Sequence, residues 1–247
     1  RLDRVDQFVS ADHLRDDIRQ AIARLADIER IIGKLIYGSI QPKELQALRD
    51  SLQLIPVLND KLEVIDYPRI EEFCELTDHL SQFLRDDLPA TMKDGGFVRP
   101  AYHPELAEYV DIVEHGSDRL LAMEAKERSA TSIKNLRIKY NRVFGYFFEV
   151  TNSQLDLVPE HYIRKQTLTG SERYFTEELK ALEDKILNAR ERQIELEKEL
   201  YQTFVGELST RADAILQAAK HLAELDVLTS FAQLAKQERY VRPEISL

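Results

Sequence analysis

The sequence predicts a mainly α protein, an elongated helical lever or bundle with a small inserted antiparallel sheet of four strands. Apolar residues recur at helical spacing over most of the 247 residues, and glycine and proline number only eight each. Residues 132–176 instead alternate apolar and polar residues and hold eight of the twenty Phe and Tyr residues. This stretch, here called the basic island, also reverses the charge of the chain.

The basic island holds seven basic and four acidic residues, whereas the rest of the chain holds 27 basic and 40 acidic residues. The whole chain therefore has a net charge of −10. Such an acidic chain does not adhere to nucleic acid in general, and only a local cationic patch is left as a surface for phosphate.

Helices are predicted on both sides of the basic island. Those before it lie at residues 2 to about 35, 42–55, 68–88 and 104–128. Residues 95–104 contain too many helix breakers and are predicted to form a loop. Thr176 is a predicted helix N-cap, because its hydroxyl can accept a hydrogen bond from the first turn. The helix that follows is predicted to be long, because residues 171–205 contain no Gly or Pro. A final helix is predicted to end at about Gln237, before Arg242-Pro243.

Four strands are predicted within the basic island, at residues 136–140, 144–150, 162–168 and 172–175. Asn141-Arg142 and Thr169-Gly170-Ser171 are predicted turns. An up-and-down meander would place both turns at one end of the sheet, and the points where the chain enters and leaves at the other. The basic tip would then lie away from the helices.

The cationic face of these strands is the candidate site, because Arg and Lys on strands can pair with successive phosphates independently of base sequence. The residues predicted to contact a DNA backbone are Lys134, Arg137, Lys139, Asn141, Arg142, Arg164, Lys165 and Arg173. The aromatic residues are interpreted as core on the opposite face, with base stacking as the alternative. Two other hypotheses stay open: a merely hydrated strand face, and a helical scaffold whose basic island docks onto an acidic protein.

No catalytic signature is present in the sequence. Gly33-Lys34 lacks the earlier glycine and the hydroxyl of a phosphate loop, and zincin and Gly-x-Ser-x-Gly motifs are absent. The isolated His79 and His221 are interpreted as structural. The chain is therefore predicted to be no enzyme, with no catalytic residue, metal site or cofactor. A metal-dependent nuclease is the distant alternative, and its candidate carboxylates are interpreted as a solvated helix face: Glu177, Glu178, Glu183 and Asp184.

The single cysteine, Cys74, leaves no intramolecular disulfide and favours a reducing compartment. No apolar run approaches the roughly 20 residues of a membrane span, and the N-terminus lacks the order of a secretion signal. The sequence therefore predicts a cytoplasmic protein with no membrane partner. The missing initiating Met predicts a piece of a longer chain.

Six segments together resemble one family. Residues 133–151 read IKNLRIKYNRVFGYFFEVT, and residues 162–187 read YIRKQTLTGSERYFTEELKALEDKIL. The others are LAELDVLTSFAQLA, YVRPEI, the opening RLDRVDQFV and the loop GGFVRPAYHPELAEY. Over the whole chain they closely resemble the MutS family of DNA mismatch repair proteins.

The resemblance implies a division into residues 1–128, the first core and lever helices, 129–179, the β clamp insertion, and 180–247, the lever helix and its return to the core. The clamp would grip double-stranded DNA nonspecifically, and the lever would transmit ATPase-driven motion. The mismatch-reading domain and the ATPase, with its ATP and Mg, would lie outside this chain. Expected partners are duplex DNA, a second MutS subunit and a MutL-like repair protein, in a bacterial, nucleoid-associated setting.

Overall fold

A computed structural model describes residues 1–243, which are mainly helical and contain one four-stranded antiparallel sheet. The predicted fold class is confirmed. The helices are α1 Leu2–Ser10, α2 Asp12–Ile22, α3 Ile28–Ile36, α4 Pro42–Leu52, α5 Ile55–Leu62, α6 Cys74–Phe83, α7 Pro104–Thr131, α8 Glu177–Ser209 and α9 Ala212–Gln237. The strands are β1 Arg137–Asn141, β2 Gly145–Thr151, β3 Ile163–Thr167 and β4 Ser171–Phe175. The end of the YVRPEI segment, residues 244 and 245, lies outside the described residues.

The chain forms two compact units. The first, here called the helical unit, contains Arg1–Arg99 and the described residues from Lys198 onward. The second, here called the sheet unit, contains Pro100–Glu197, and helix α8 contributes to both. The division at residues 128 and 179 stays a prediction.

Helix α9 organises the helical unit, because α1, α2 and α3 all pack against it. Its buried side chains include Ile215, Leu222, Leu225 and Leu228. The single helix predicted over residues 2 to about 35 is wrong, since the chain breaks at Ala11, where φ is −111° and ψ is 70°, and again after α2. No glycine or proline marks these breaks, so the apolar periodicity continues through them without a local signal.

The sheet unit has its own core on one face of the sheet. Its buried members come from α7, the strands, the segments that precede β1 and β3, and the start of α8; they are Leu120, Ile133, Leu136, Phe148, Val150, Tyr162, Tyr174 and Leu179. The Thr176 hydroxyl accepts a hydrogen bond from the Leu179 N–H at 3.1 Å, which confirms Thr176 as the predicted cap of α8. The four strands agree with the predicted ranges to within one residue at each end.

The strand order is β1-β2-β4-β3, so the predicted meander is wrong. Because β2 and β3 both run antiparallel to β4, they run in the same direction, and Asn152–Leu157 forms a 3₁₀ helix in their connection. Asn141 pairs with Gly145 at one end of the sheet, and Thr151 pairs with Ser171 towards the other. The two hairpin turns therefore lie at opposite ends of the sheet. The prediction failed because period-two alternation identifies strands but does not specify which strands are neighbours.

Candidate nucleic-acid interface

The two faces of the sheet carry different side chains. Ile138, Phe148 and Tyr174 lie on the face that forms the core. The neighbouring positions, Arg137 and Arg173, lie on the opposite face, here called the outer face, where both pair in register with Glu149. The outer face thus carries predicted DNA contacts around a central carboxylate.

Lys139 is paired with that carboxylate. Its Nζ lies 2.8 Å from Glu149 Oε2, and the Ser171 hydroxyl lies 3.3 Å from the other carboxylate oxygen. The hydrogen bond from Lys139 holds the pKa of Glu149 below its usual value of 4.5, because the pair favours the ionised carboxylate. Lys139 is 54% exposed, so its ammonium group stays accessible to solvent while it is locally compensated.

Arg137 contacts a buried carboxylate of α7. Its Nη1 lies 3.2 Å from Glu124 Oε1, and Glu124 Oε2 accepts a hydrogen bond from the Ile138 N–H at 2.9 Å. Arg128 also donates to Glu124, which is 6% exposed. Since β1 is an edge strand, Glu124 takes the place of a strand partner and joins α7 to the sheet. The Arg137 side chain itself is 64% exposed.

Arg173 is largely engaged within the sheet. Its Nη1 donates to Gln166 Oε1 at 2.7 Å, and its guanidinium lies 4.5 Å from the centroid of Phe147. Phe147 is on the outer face, opposite Lys139 in register, yet it is 2% exposed. The aromatic residues are predicted to lie mainly on the opposite face, and Phe147 is an exception, since it is buried on the same face as Arg173.

The two cations of β3 differ in accessibility. Arg164 pairs in register with Tyr174, so it lies on the face that forms the core and not on the outer face with Arg137 and Lys139. Its side chain is 63% exposed and lies 3.4 Å from Glu172 Oε1. Lys165 lies at a bulge, where its Nζ donates to the Phe144 carbonyl at 2.7 Å and lies 4.7 Å from the centroid of Phe175. Lys165 therefore helps to hold the sheet together, whereas Arg164 extends towards solvent.

Lys134 and Arg142 are exposed, and neither side chain has a hydrogen bond or an ion pair with any of residues 1–243. Lys134 lies in the loop between α7 and β1, and Arg142 lies in the turn between β1 and β2. Asn141 shapes this turn, because its Oδ1 accepts a hydrogen bond from the Val143 N–H at 2.8 Å. The structure thus places the two cations at opposite ends of the sheet.

The two ends differ in how they are covered. The end with Arg142 adjoins α8, since a Cβ at Gly145 would lie 1.8 Å from Glu183 Oε1. At the other end a Cβ at Gly170 would meet nothing within 4 Å, and Asn152 Nδ2 donates to the Thr169 carbonyl at 3.1 Å. The turn at this open end was predicted from the sequence, but its polar residues were not among the predicted DNA contacts, because they are uncharged and their signal was only that of a turn.

The carboxylates considered for a nuclease do not form a site of their own. Glu178 pairs with Lys126 at 3.0 Å, and Lys180 lies 3.3 Å from Glu183 and 3.4 Å from Asp184. Glu183 is buried rather than solvated, which corrects its interpretation as part of a wet helix face. Among residues 1–243, no group of three His, Cys, Asp or Glu side chains is arranged to hold a metal ion. The same part of the chain contains no helix that is both long and apolar enough to cross a membrane.

The fold and the cationic sheet define a class of protein, a mainly helical chain with an inserted basic β domain. Residues 101–192 match the model of MutS family domain IV. The chain is 38% identical to the DNA mismatch repair protein MutS of Desulfosudis oleivorans over 99% of its length, and 40% identical to that of Ruminiclostridium cellulolyticum over 100%. It is 39% identical over its full length to MutS of Thermotoga petrophila. The chain belongs to the MutS family, which confirms the resemblance, and it spans 29 to 31% of the length of these relatives.

Proposed function

We propose that the sheet unit holds duplex DNA by its phosphate backbone, without reading base sequence, as part of a MutS-family mismatch repair protein. One observation carries the proposal: within the match to MutS domain IV, Lys134 and Arg142 are exposed and have no partner among residues 1–243. Free cations on an otherwise acidic chain are suited to polyanion contact, because phosphate neutralisation releases counterions.

Two further cations on the outer face support this proposal, and a third lies on the edge strand β3. Arg137, Lys139 and Arg164 are each more than half exposed and paired with carboxylates. In each pair the cation is the more exposed partner and the carboxylate the more buried one, so a phosphate can approach the cation from solvent. Arg173 and Lys165 are engaged with Gln166, aromatic rings and a backbone carbonyl, and we assign them mainly to the stability of the sheet.

For the whole protein we propose that α7 and α8 transmit ATPase-driven motion to the sheet unit. Helix α8 has 33 residues, about 50 Å at the usual rise, and a rigid rod of that length amplifies a small rotation at its base. Because this sequence has no phosphate loop, ATP and Mg are assigned to a part of the protein outside it, and this chain performs no chemical step. A second subunit and a MutL-like protein are the proposed protein partners, in the cytoplasm.

Salt dependence of duplex binding tests the DNA proposal. Fluorescence anisotropy with labelled duplexes of unrelated sequence should give equal affinities that fall steeply between about 50 and 200 mM salt. Replacing Lys134 and Arg142 together by Gln should reduce the slope of log K against log salt by about 2. The matched control is the pair Lys43→Gln and Lys220→Gln, exposed lysines of α4 and α9. Absence of salt-sensitive binding, or equal slopes for both pairs, would contradict the proposal.

A protein-docking role is the second candidate. The observation that favours it is Val143, which is 81% exposed in the β1–β2 turn beside Arg142 and contributes an apolar surface that phosphate contact does not require. Under this alternative, Val143→Ser should weaken the capture of an acidic partner and leave duplex affinity unchanged. Under the DNA proposal, the two cations carry the affinity, and the Val143 change alters duplex binding less than twofold.

A further inference from the structure

The helical unit contains a concave surface that DNA binding does not use. A cavity of about 530 Å³ lies between residues 71–79 and the region where α8 ends and α9 begins. A second cavity of about 440 Å³ adjoins it, shares Glu71 and Glu72, and extends to His221 of α9. The two are here called the acidic groove, and their volumes lie in the range of sites that take a small ligand or peptide side chains.

The floor of the acidic groove is apolar and well packed. Phe204 and Leu208 line it and are 3% and 2% exposed. The Phe204 ring stacks on Phe83 with centroids 4.3 Å apart, and the His79 ring lies 4.8 Å from Phe204. Because these rings support one another, the floor is a preformed receptor for an apolar side chain rather than a space that would collapse.

The rim of the acidic groove is rich in carboxylates. Glu71, Glu75 and Glu207 are exposed, and none has an ion pair with any of residues 1–243. The guanidinium groups of Arg69 and Arg211 also line the groove. Arg69 is already paired with Glu63 and Glu72, so only Arg211 is available to offset the rim carboxylates among the described lining residues. The cavity between α7 and α8 differs, because Lys185 and Arg192 offset its acidic lining.

We propose that the acidic groove docks a basic linear segment of a partner protein, which inserts one apolar side chain over Phe204 and places Lys or Arg against Glu71, Glu75 and Glu207. Charge complementarity selects this occupant, because the free carboxylates repel nucleic acid and acidic proteins and attract a cationic segment. The apolar side chain of the segment contributes affinity because it moves from water into a preformed pocket. The carboxylates of the rim raise the association rate of the cationic segment by electrostatic steering.

Peptide binding by the chain tests the proposal. The probe is a fluorescein-labelled 12-residue peptide in which Lys and Arg surround a single Leu, and a Kd on the order of 10 μM is expected at low salt. A peptide with Ser in place of Leu should bind at least about tenfold more weakly, since the anchor is lost. The double variant Glu75→Lys with Glu207→Lys should weaken the Leu peptide by about tenfold or more.

Asp87→Lys with Asp226→Lys is the matched control, because both residues are exposed, lie outside the lining of the groove and change the net charge equally. It should change the peptide affinity less than about twofold at physiological salt, where screening limits distant charges. In the unmodified chain, hydrogen exchange should slow on peptide binding in residues 71–79 and 204–211. Equal weakening by both variants, equal binding of the Ser peptide, or protection confined to other residues would overturn the proposal.

Discussion

The carboxylate of Glu183 lies directly against Gly145, so that a Cβ at this glycine would lie only 1.8 Å from Oε1. Gly145 has a φ of +71°, in the left-handed region that a residue with a side chain adopts only with strain. Glu183 is buried and 3.3 Å from Lys180. The β1–β2 hairpin therefore contacts the second turn of α8 at a glycine whose left-handed backbone a side chain would strain, and a Cβ there would displace the Glu183 carboxylate.

Gly145→Ala should destabilise the chain by about 1–3 kcal/mol, because left-handed strain costs about 1–2 kcal/mol and the Glu183 carboxylate must move to avoid a clash. Urea unfolding followed by circular dichroism measures this. Adding Glu183→Ala should recover the part due to the clash. Gly170→Ala is the control, since its Cβ meets nothing within 4 Å, and it should change stability by less than about 0.5 kcal/mol. Equal effects at both glycines would contradict the close contact.

Glu124→Ala should cost about 3 kcal/mol, because it leaves the Ile138 N–H and the guanidinium groups of Arg128 and Arg137 without their acceptor. Glu124→Gln should cost less, because the amide oxygen can still accept from Ile138. Hydrogen exchange by NMR checks the mechanism: the Ile138 amide should exchange fastest in the Ala variant. Unchanged protection of that amide would show that Glu124 does not hold the edge of the sheet.

Glu149→Gln should strengthen duplex binding, in contrast to the loss expected from removing cations. Its carboxylate lies 2.8 Å from Lys139, and neutralising it frees the ammonium group for phosphate. The expected gain is several-fold at low salt, with a salt slope steeper by about 1. Anisotropy titrations over a salt series measure both quantities, and Lys139→Gln should abolish the gain. A weaker or unchanged affinity of Glu149→Gln would exclude Lys139 from the interface.

Lys134→Gln should weaken duplex binding more than Arg142→Gln, because Lys134 lies towards the open end of the sheet whereas Arg142 lies at the end that adjoins α8. Each single change should reduce the salt slope by at most about 1. The two variants carry equal charge changes and serve as controls for each other. A larger loss for Arg142→Gln would place the DNA at the opposite end of the sheet.

Alkaline pH should destabilise the chain through Tyr174. Burial first, and then its hydrogen bond to Glu172, raise the pKa of Tyr174 to about 12 from 10.0. The unfolded chain loses this proton at lower pH, so the stabilisation is complete below about pH 10 and is lost as pH rises towards about 12. Tyr174→Phe removes this titration, so the unfolding free energy of the variant should fall less steeply with pH in this window. The difference in slope should correspond to at most one proton, and urea unfolding at several pH values measures it. Below about pH 9 the difference between the two proteins should be constant.

Much of the local structure was predictable from the sequence, because helices and strands have short-range signals. The absence of Gly and Pro after Ser171 predicted α8, and alternation around Phe148 predicted β2. The breaks at Ala11 and after Ile22 were not predictable in this way, since neither contains a residue that excludes a helix.

The sequence alone determined the fold class, the position of the basic island and the family resemblance, because composition, periodicity and motifs lie along the chain. Only the tertiary structure decided that β2 pairs with β4, that Phe147 lies beneath Arg173, and that Lys139 is paired whereas Lys134 and Arg142 have no partner in the described part of the chain. These features depend on which distant segments meet. A pattern of period two says which side chains share a face, but the charge that remains available on that face is set by neighbours from other strands and helices.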